Sequence, residues 1–267
     1  MNIKIVFSDI DGTFLTNDHR VTRQTADAVN RLLAKNIPFV LVSARMPEAI
    51  YPITDTLGIK IPIISYSGGL VLTEAEEVLY SKTIDPNSAR SIIAAIDRDF
   101  PQVTINYYAG RRWFVRDTSD PRVKVEEDIT SAASEAAEFA RLLRAEVLPN
   151  KILVMSDPPD CERMERELGR QFRQLNIVRS HPTLLEIMDR SVSKATGIEV
   201  MLKHFGISPD EAIGFGDNYN DIEMFEYVGH GVAMANAPEP IKKLVDEITE
   251  SNENSGIYTY LVKTGII

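Results

Sequence analysis

Four short segments of the sequence carry side chains capable of chemistry, and the first is Asp9-Ile10-Asp11-Gly12-Thr13. Two carboxylates at positions i and i+2 of an extended segment point the same way. Because they repel each other, a divalent cation is their natural partner, and Mg²⁺ prefers oxygen ligands. A carboxylate placed in this way can attack phosphorus and form an aspartyl-phosphate, while the second acts as acid and base. Taken alone, however, the segment is more typical of a helix cap and a solvated acidic turn.

The other three segments supply the roles that the first one lacks. Ser43-Ala44-Arg45 offers a hydroxyl and backbone amides for an anion at a predicted helix start, although a serine cap explains it equally well. Ser193-Lys194 puts a cation at a predicted helix N-terminus, where the helix dipole disfavours it unless an anion binds there. The usual alternative is an exposed surface lysine. The loop from Gly216 to Asp221 adds two carboxylates and two asparagine amides, without the spacing of an EF-hand.

The elements around these segments alternate between strand and helix. Continuous apolar runs predict buried parallel strands at Ile3–Phe7, Ile37–Val42, Ile61–Ile64, Ala212–Phe215 and Gly231–Met234. Helical spacing or a proline start predicts helices at Thr25–Leu33, Pro47–Leu57, Lys194–Phe205, Asp221–Tyr227 and Pro238–Val245. This rhythm predicts an α/β fold with a Rossmann-like parallel sheet. Ligands of such sheets bind beyond the carboxyl ends of the strands, so the four segments are expected to meet there.

The middle of the chain has a different pattern. Helices are predicted at Asn87–Phe100, Ser131–Glu146 and Asp160–Leu175, with strands at Val103–Tyr107, Trp113–Val115, Lys151–Met155 and Asn176–Arg179. We therefore expect an inserted α+β cap at residues 83–188 and a discontinuous core at 1–82 and 189–267. An aromatic and basic cluster in this insertion either contacts the substrate's leaving group or packs within a hairpin: Tyr107, Tyr108, Arg111, Arg112 and Trp113.

Composition narrows the classes of function. The net charge of −10 over 267 residues argues against nucleic acid, and it means that a phosphorylated substrate must be attracted locally. No stretch approaches the roughly 20 apolar residues of a membrane span. The apolar run at the N-terminus is too short for a signal peptide, and the single Cys161 suits a reducing compartment. We expect a cytoplasmic protein that binds neither nucleic acid nor membrane; the sequence does not indicate its oligomeric state.

In this order, the four segments resemble the haloacid dehalogenase superfamily of phosphatases, over essentially the whole chain. The match is close to the Cof-type sugar-phosphatase branch, which carries a large cap between its second and third motifs. The first motif matches at Asp9, Asp11, Gly12 and Thr13, and the fourth matches fully at Gly216–Asp221. The second motif differs, since Ser43-Ala44-Arg45 replaces the usual Thr-Gly-Arg but keeps the hydroxyl.

The resemblance implies a role for each candidate residue. Asp9 would be the nucleophile, and Asp11 would protonate the leaving oxygen and later activate water. Mg²⁺ would be held by the Asp9 carboxylate, the Asp11 backbone carbonyl and Asp217. Arg45 and Asp221 would support the site. The phosphoryl oxygens would be held by the Ile10 and Ala44 amides, Ser43, Lys194 and Asn220.

The substrate implied is a small phosphorylated metabolite, either a sugar phosphate or a phosphorylated cofactor such as FMN or pyridoxal phosphate. Two alternatives stay open at this point. A phosphomutase would pass the aspartyl-phosphate to another hydroxyl, and a non-catalytic protein would only bind a phosphorylated ligand. The second is disfavoured because a binding protein would not need both Asp9 and Asp11.

Overall fold

The structure is a computed structural model that describes residues 2–267, and the chain forms two compact units. The first unit comprises the chain up to Arg45 together with Ile53–Tyr80 and Ser193–Ile267. The second comprises Met46–Pro52 and Ser81–Val192. The chain therefore passes into the second unit twice, briefly at residues 46–52 and then over residues 81–192.

Within the described residues, the first unit is built on an eight-stranded sheet with the order β14-β13-β12-β1-β2-β3-β4-β5. Its pairs from β14 to β3 are parallel, and β3 pairs antiparallel with β4. Central strands of such a sheet are covered on both faces and read as apolar runs, which explains why every residue of β1 is buried. The strands are β1 (Ile5–Asp9), β2 (Phe39–Val42), β3 (Ile63–Ser65), β4 (Leu70–Leu72), β5 (Val78–Ser81), β12 (Ala212–Gly216), β13 (His230–Ala233) and β14 (Glu247–Ile248).

The helices that connect these strands begin and end at local signals in the sequence. Thr22 caps the first helix by accepting the backbone N–H of Thr25, and Ser193 caps the seventh in the same way with Thr196. Gly206 ends the seventh helix in the left-handed conformation. The helices are α1 (Arg23–Ala34), α2 (Tyr51–Thr56), α7 (Lys194–Phe205), α8 (Ile222–Tyr227), α9 (Glu239–Lys242) and α10 (Gly256–Lys263).

The second unit contains a six-stranded sheet of order β10-β11-β9-β6-β7-β8 among the residues that the structure describes. All of its pairs are antiparallel except β7 with β8. Ile92 and Ile96 of its first helix and Met164 and Leu168 of its last belong to one hydrophobic core with the sheet. The elements are α3 (Pro86–Asp99), β6 (Thr104–Ala109), β7 (Arg112–Val115), α4 (Pro121–Thr130), β8 (Glu135–Ala136), α5 (Phe139–Arg144), β9 (Lys151–Met155), α6 (Pro158–Gln171), β10 (Leu175–His181) and β11 (Leu184–Asp189).

The predicted α/β class with a parallel-sheet core is confirmed, and the bounds of α7 and β9 match the prediction at both ends. The predicted helix at Ser131–Glu146 is wrong. Helix α4 ends directly before this segment: it starts at the Asp120 cap and Pro121 and stops where Ser131 adopts a φ of 56°. The segment then continues through β8 to the short α5. Three further elements were missed, namely β11, β14 and α10.

Every helix within residues 2–267 is too short or too polar to cross a bilayer.

A close backbone contact beside α7 gives a test of this fold. Gly68 has a φ of +105°, and a Cβ there would lie 2.8 Å from the Ser193 carbonyl carbon. Gly58 has a φ of +64°, yet nothing lies within 4 Å of a Cβ there. We expect Gly58→Ala to lower the free energy of unfolding by about 1 kcal/mol, from backbone strain alone. Gly68→Ala adds steric overlap at the start of α7 and is expected to cost about 3 kcal/mol or more. Urea denaturation of both variants measures the difference, and equal losses would contradict the packing described.

Candidate active site

The carboxyl ends of three neighbouring strands bring the sequence motifs together. Asp9 is the last residue of β1 and is in register with Val42, the last residue of β2. On the other side of β1, Ser8 is in register with Phe215 of β12. Adjacent strands lie about 4.8 Å apart, so Ser43 and Asp217, which directly follow β2 and β12, flank Asp9. The edge predicted to collect these side chains does so.

A buried lysine lies at the centre of this edge. The Lys194 ammonium donates hydrogen bonds to one oxygen of Asp9 and, at 2.5 Å, to one oxygen of Asp221. All three side chains are buried, and only 1% of Lys194 is exposed. Burial by itself would lower the pKa of Lys194, but the negative charges of Asp221 and Asp9 outweigh it and raise that pKa. Lys194 is thus a paired, charged group of the site, and not the exposed surface lysine of the alternative interpretation.

Asp221 organises the loop after β12. One of its oxygens accepts from Lys194, and the other accepts the backbone N–H groups of Asp217 and Asn218, both at 2.9 Å. The loop must pass close to this carboxylate, because a Cβ at Gly216 would lie 2.5 Å from its carbon. Asp221 therefore holds Lys194 and closes the turn that presents Asp217.

Asp217 faces the turn that follows Asp11. Its Oδ1 accepts the Thr13 hydroxyl at 2.8 Å, and a Cβ at Gly12 would lie 2.8 Å from its Cγ. Gly12 also has a φ of +81°, so a residue without a side chain is required there on two counts. Burial raises the pKa of Asp217 to about 6, although the hydrogen bond from Thr13 acts to lower it. Burial also raises the pKa of Asp9, although the attraction of Lys194 acts in the opposite direction.

The donor set at this edge suits a hard divalent cation. Among residues 2–267, Asp9, Asp217 and Asp221 each offer a carboxylate oxygen within 4.8 Å of the others. Lys194 offsets only one of these three negative charges. Oxygen ligands with excess negative charge are the surroundings that Mg²⁺ prefers. Since both oxygens of Asp221 already accept hydrogen bonds, Asp9 and Asp217 are the better ligands of the three.

Asp11 lies in a different environment from Asp9. Its side chain is 48% exposed, and Arg45 donates to both of its oxygens, from Nε at 2.9 Å and from Nη2 at 2.6 Å. This two-point geometry orients a carboxylate more strictly than a single bond does. The Nδ1 atom of His19 lies 3.8 Å from the same carboxylate. The two carboxylates of the first motif are therefore separated into one buried and one accessible group.

The candidate phosphate contacts lie on the adjoining loops. Ser43 is buried; its hydroxyl oxygen accepts the Arg45 N–H at 3.2 Å, and its carbonyl accepts the Ser67 N–H. Ala44 follows it directly, and Ile10 follows Asp9 with its own side chain buried. Asn220 is exposed in the short 3₁₀ turn Tyr219–Asp221.

The aromatic and basic cluster of the second unit packs within a hairpin, which is the second of the two interpretations of its sequence. Tyr107 is buried and its hydroxyl donates to the Val147 carbonyl at 2.6 Å. Tyr108 stacks on Trp113 with ring centroids 5.6 Å apart. Arg112 pairs with Glu135, and Arg111 pairs with Glu48 at 2.6 Å. The aromatics pack and the arginines are held by acids.

The structure also adds residues that sequence reasoning missed. Thr13 belongs to the first motif, but the sequence does not indicate that its hydroxyl donates to Asp217. Asn236 donates to the Gly12 carbonyl at 2.8 Å, and Asn252 contacts Asn236 in turn. Asn236 follows shortly after β13 at the same edge of the sheet, so the rule that singled out Asp9 and Asp217 also applied to it.

Comparison with known proteins identifies the family. The model of the haloacid dehalogenase-like hydrolases matches residues 6–261. A protein of Haemophilus influenzae, provisionally named a phosphatase, is 35% identical over 96% of both chains. The chain therefore belongs to the haloacid dehalogenase-like hydrolases, and its relatives place it among their phosphatases. Membership of the Cof-type branch, predicted from the motifs, is confirmed.

Solved structures agree over the whole length. A haloacid dehalogenase-like hydrolase from Bacteroides thetaiotaomicron has a TM-score of 0.88 at 27% identity, covering 98% of this chain and 99% of its own. The subclass IIB sugar phosphatase BT4131 has a TM-score of 0.83 at 25% identity, covering 99% and 100%. Both units of the chain thus have counterparts within one protein of this family.

The buried ion pairs of Lys194 generate a stability prediction. Lys194→Met leaves Asp9 and Asp221 buried without their cation, which is expected to cost about 3–5 kcal/mol of unfolding free energy at pH 8. The loss should be smaller at pH 5, because burial already raises the pKa of Asp9, and without the attraction of Lys194 this carboxylate binds a proton more readily there. Lys203→Met is the control, since Lys203 pairs with Glu199 on the exposed face of the same helix. It should change stability by about 0.5 kcal/mol or less. Chemical denaturation of the metal-free proteins measures the unfolding free energy of each variant. Equal effects of the two substitutions would contradict the role of the buried pair.

Proposed function

We propose that this protein is a Mg²⁺-dependent phosphatase that hydrolyses a small phosphomonoester through an aspartyl-phosphate on Asp9. The observation that carries the proposal is the position of Asp9 at the end of β1, buried, oriented by Lys194 and grouped with Asp217. A carboxylate that served only as a turn or helix cap would not need a buried cation on one side and a second carboxylate on the other.

The reaction divides into two displacements on phosphorus. An oxygen of Asp9 attacks the phosphoryl group, the bond from phosphorus to the substrate oxygen breaks, and Asp11 gives its proton to that leaving oxygen. Asp11 then takes a proton from water as the water oxygen attacks the phosphorus of the aspartyl-phosphate. Breaking the acyl-phosphate bond releases inorganic phosphate and restores the Asp9 carboxylate. The final acceptor is water, which makes the reaction a hydrolysis and separates it from that of a mutase.

The residues of the site divide the remaining work. Asp9, the Asp11 backbone carbonyl and Asp217 would hold Mg²⁺. Its positive charge would offset the repulsion between the negative phosphoryl group and the surrounding carboxylates. The Lys194 ammonium is already charged and needs no proton to act on the phosphoryl oxygens. Asp221 supports Lys194 and the Asp217 loop. The further phosphoryl contacts we propose are the Ser43 hydroxyl, the backbone amides of Ile10 and Ala44, and the Asn220 side chain.

The pair of Asp11 and Arg45 gives the acid–base residue a defined starting position. Arg45 holds both Asp11 oxygens at the accessible side of the site. The leaving oxygen of a substrate bound over Asp9 must come within hydrogen-bond reach of Asp11 for proton transfer. Arg45 thus supports the reaction by orienting this carboxylate, and it is not itself a reacting group.

Residues 83–188 are proposed as the cap that selects the substrate, with residues 1–82 and 189–267 as the catalytic core. The support is the separate compact unit at Ser81–Val192 and the likeness to proteins that include a sugar phosphatase. We propose a sugar phosphate or a phosphorylated cofactor as the substrate class. Phosphate release across a panel of such metabolites, each at equal concentration with Mg²⁺, identifies the preferred class.

Replacement of the nucleophile tests the mechanism. Asp9→Asn keeps the size of the side chain but removes the attacking carboxylate, so phosphate release from p-nitrophenyl phosphate with Mg²⁺ should fall by about a thousandfold or more. Asp18→Asn is the matched control, because Asp18 is an exposed aspartate in the same stretch of chain. Circular dichroism verifies that both variants fold. Substantial turnover by Asp9→Asn, or full wild-type turnover after chelation of divalent metal, would overturn the proposal.

A further inference from the structure

Two asparagines from the C-terminal part of the chain hold the turn that follows Asp11. The Asn236 side-chain amide donates to the Gly12 carbonyl at 2.8 Å, and its oxygen accepts the backbone N–H of Asn252 at 3.1 Å. The Asn252 amide in turn donates to the Leu15 carbonyl at 2.9 Å. Asn252 is buried, whereas Asn236 is exposed. Two carbonyls of one turn are therefore each bound by an amide from a distant part of the sequence.

This turn controls two of the groups that the proposed metal site needs. Gly12 has a φ of +81°, and the peptide that precedes it carries the Asp11 carbonyl. Fixing the Gly12 carbonyl restricts rotation of the backbone on both sides of Gly12, and so the direction of the Asp11 carbonyl. The same turn supplies the Thr13 hydroxyl that binds Asp217 Oδ1. A displaced turn would therefore move the Asp11 carbonyl and the Asp217 carboxylate relative to each other.

Asn236 also approaches Asp217 directly. Its amide nitrogen lies 3.5 Å from Asp217 Oδ2, the oxygen that Thr13 does not bind. An asparagine amide can donate to a carbonyl and toward a carboxylate with its two N–H groups while its oxygen accepts a backbone N–H. An aspartate in its place would have no N–H to donate and would add a negative charge beside Asp217. The neutral amide therefore matches all of its surroundings.

We propose that Asn236 is a positioning residue for the metal site, which sets the Asp11 turn and the Asp217 carboxylate at the separation that Mg²⁺ requires. The inference rests on the proposed function, because it assigns Asn236 to the Mg²⁺ site of that function. Groups that orient metal ligands typically change metal affinity about 10- to 100-fold when removed. An exposed hydrogen bond with no such role would alter overall stability slightly and leave metal affinity unchanged.

The experiment measures Mg²⁺ binding without using turnover. The thermal midpoint of the full-length protein is followed as Mg²⁺ is added, which gives an apparent dissociation constant. We expect Asn236→Ala, and Asn236→Leu with a side chain of similar size, to weaken that constant about 10- to 100-fold. Asn254→Ala is the control, since Asn254 is an exposed asparagine two residues from Asn252 and should leave the constant unchanged. Phosphate release by the Asn236 variants should recover at high Mg²⁺, because the chemical groups are intact.

The outcomes separate the two levels of the proposal. Wild-type Mg²⁺ affinity in both Asn236 variants would overturn the positioning role while leaving the metal-dependent phosphatase in place. A lower midpoint in metal-free variants with an unchanged Mg²⁺ response would overturn it as well, since it would reveal a structural role only. Absence of any Mg²⁺ response in the wild-type protein would refute the metal site itself, and the role of Asn236 with it.

Discussion

The structure of the site depends on one buried cation. The Lys194 ammonium is removed from water at the start of α7 and is compensated by Asp9 and Asp221. A buried charge is tolerated only when it is paired and hydrogen-bonded, so these three residues specify one another's positions. The pairing joins the end of β1, the start of α7 and the turn after β12, which are far apart in the sequence. The surrounding loops are arranged around that requirement.

The close packing of these loops explains why glycine and short polar residues recur at the edge of the sheet. Gly12 approaches Asp217, Gly68 approaches the start of α7, and Gly216 approaches Asp221. The resulting site places two aspartates of one motif in contrasting surroundings. Asp9 is buried beside a cation and suited to attack, whereas Asp11 is accessible, held by Arg45 and suited to exchange protons with a leaving group and with water.

Much of the core and site was predictable because it depends on local patterns. Apolar runs in the sequence identified the parallel strands, and polar residues directly after those runs identified Asp9, Ser43 and Asp217. Lys194 was ambiguous, since a lysine at a helix start is ordinarily exposed, and only the tertiary structure shows that it is buried. The partners of Arg45 and Asn236 depend on contacts between distant loops, which have no periodic signature. The helix misplaced at Ser131–Glu146 failed for a related reason, because the segment is divided between two short elements, β8 and α5.

In the proposed reaction, Asp9 attacks phosphorus and carries the phosphoryl group between the two displacements. The most direct measurement is to mix the protein with Mg²⁺ and an aryl phosphate, stop turnover with acid within the first cycle, and map the modified peptide by mass spectrometry. The predicted result is a phosphoryl group on the peptide that contains Asp9. Treatment with hydroxylamine should remove this group, because hydroxylamine cleaves acyl-phosphates. Rapid turnover with no phosphorylated peptide, or with the phosphoryl group on another residue, would contradict the role of Asp9 as the nucleophile.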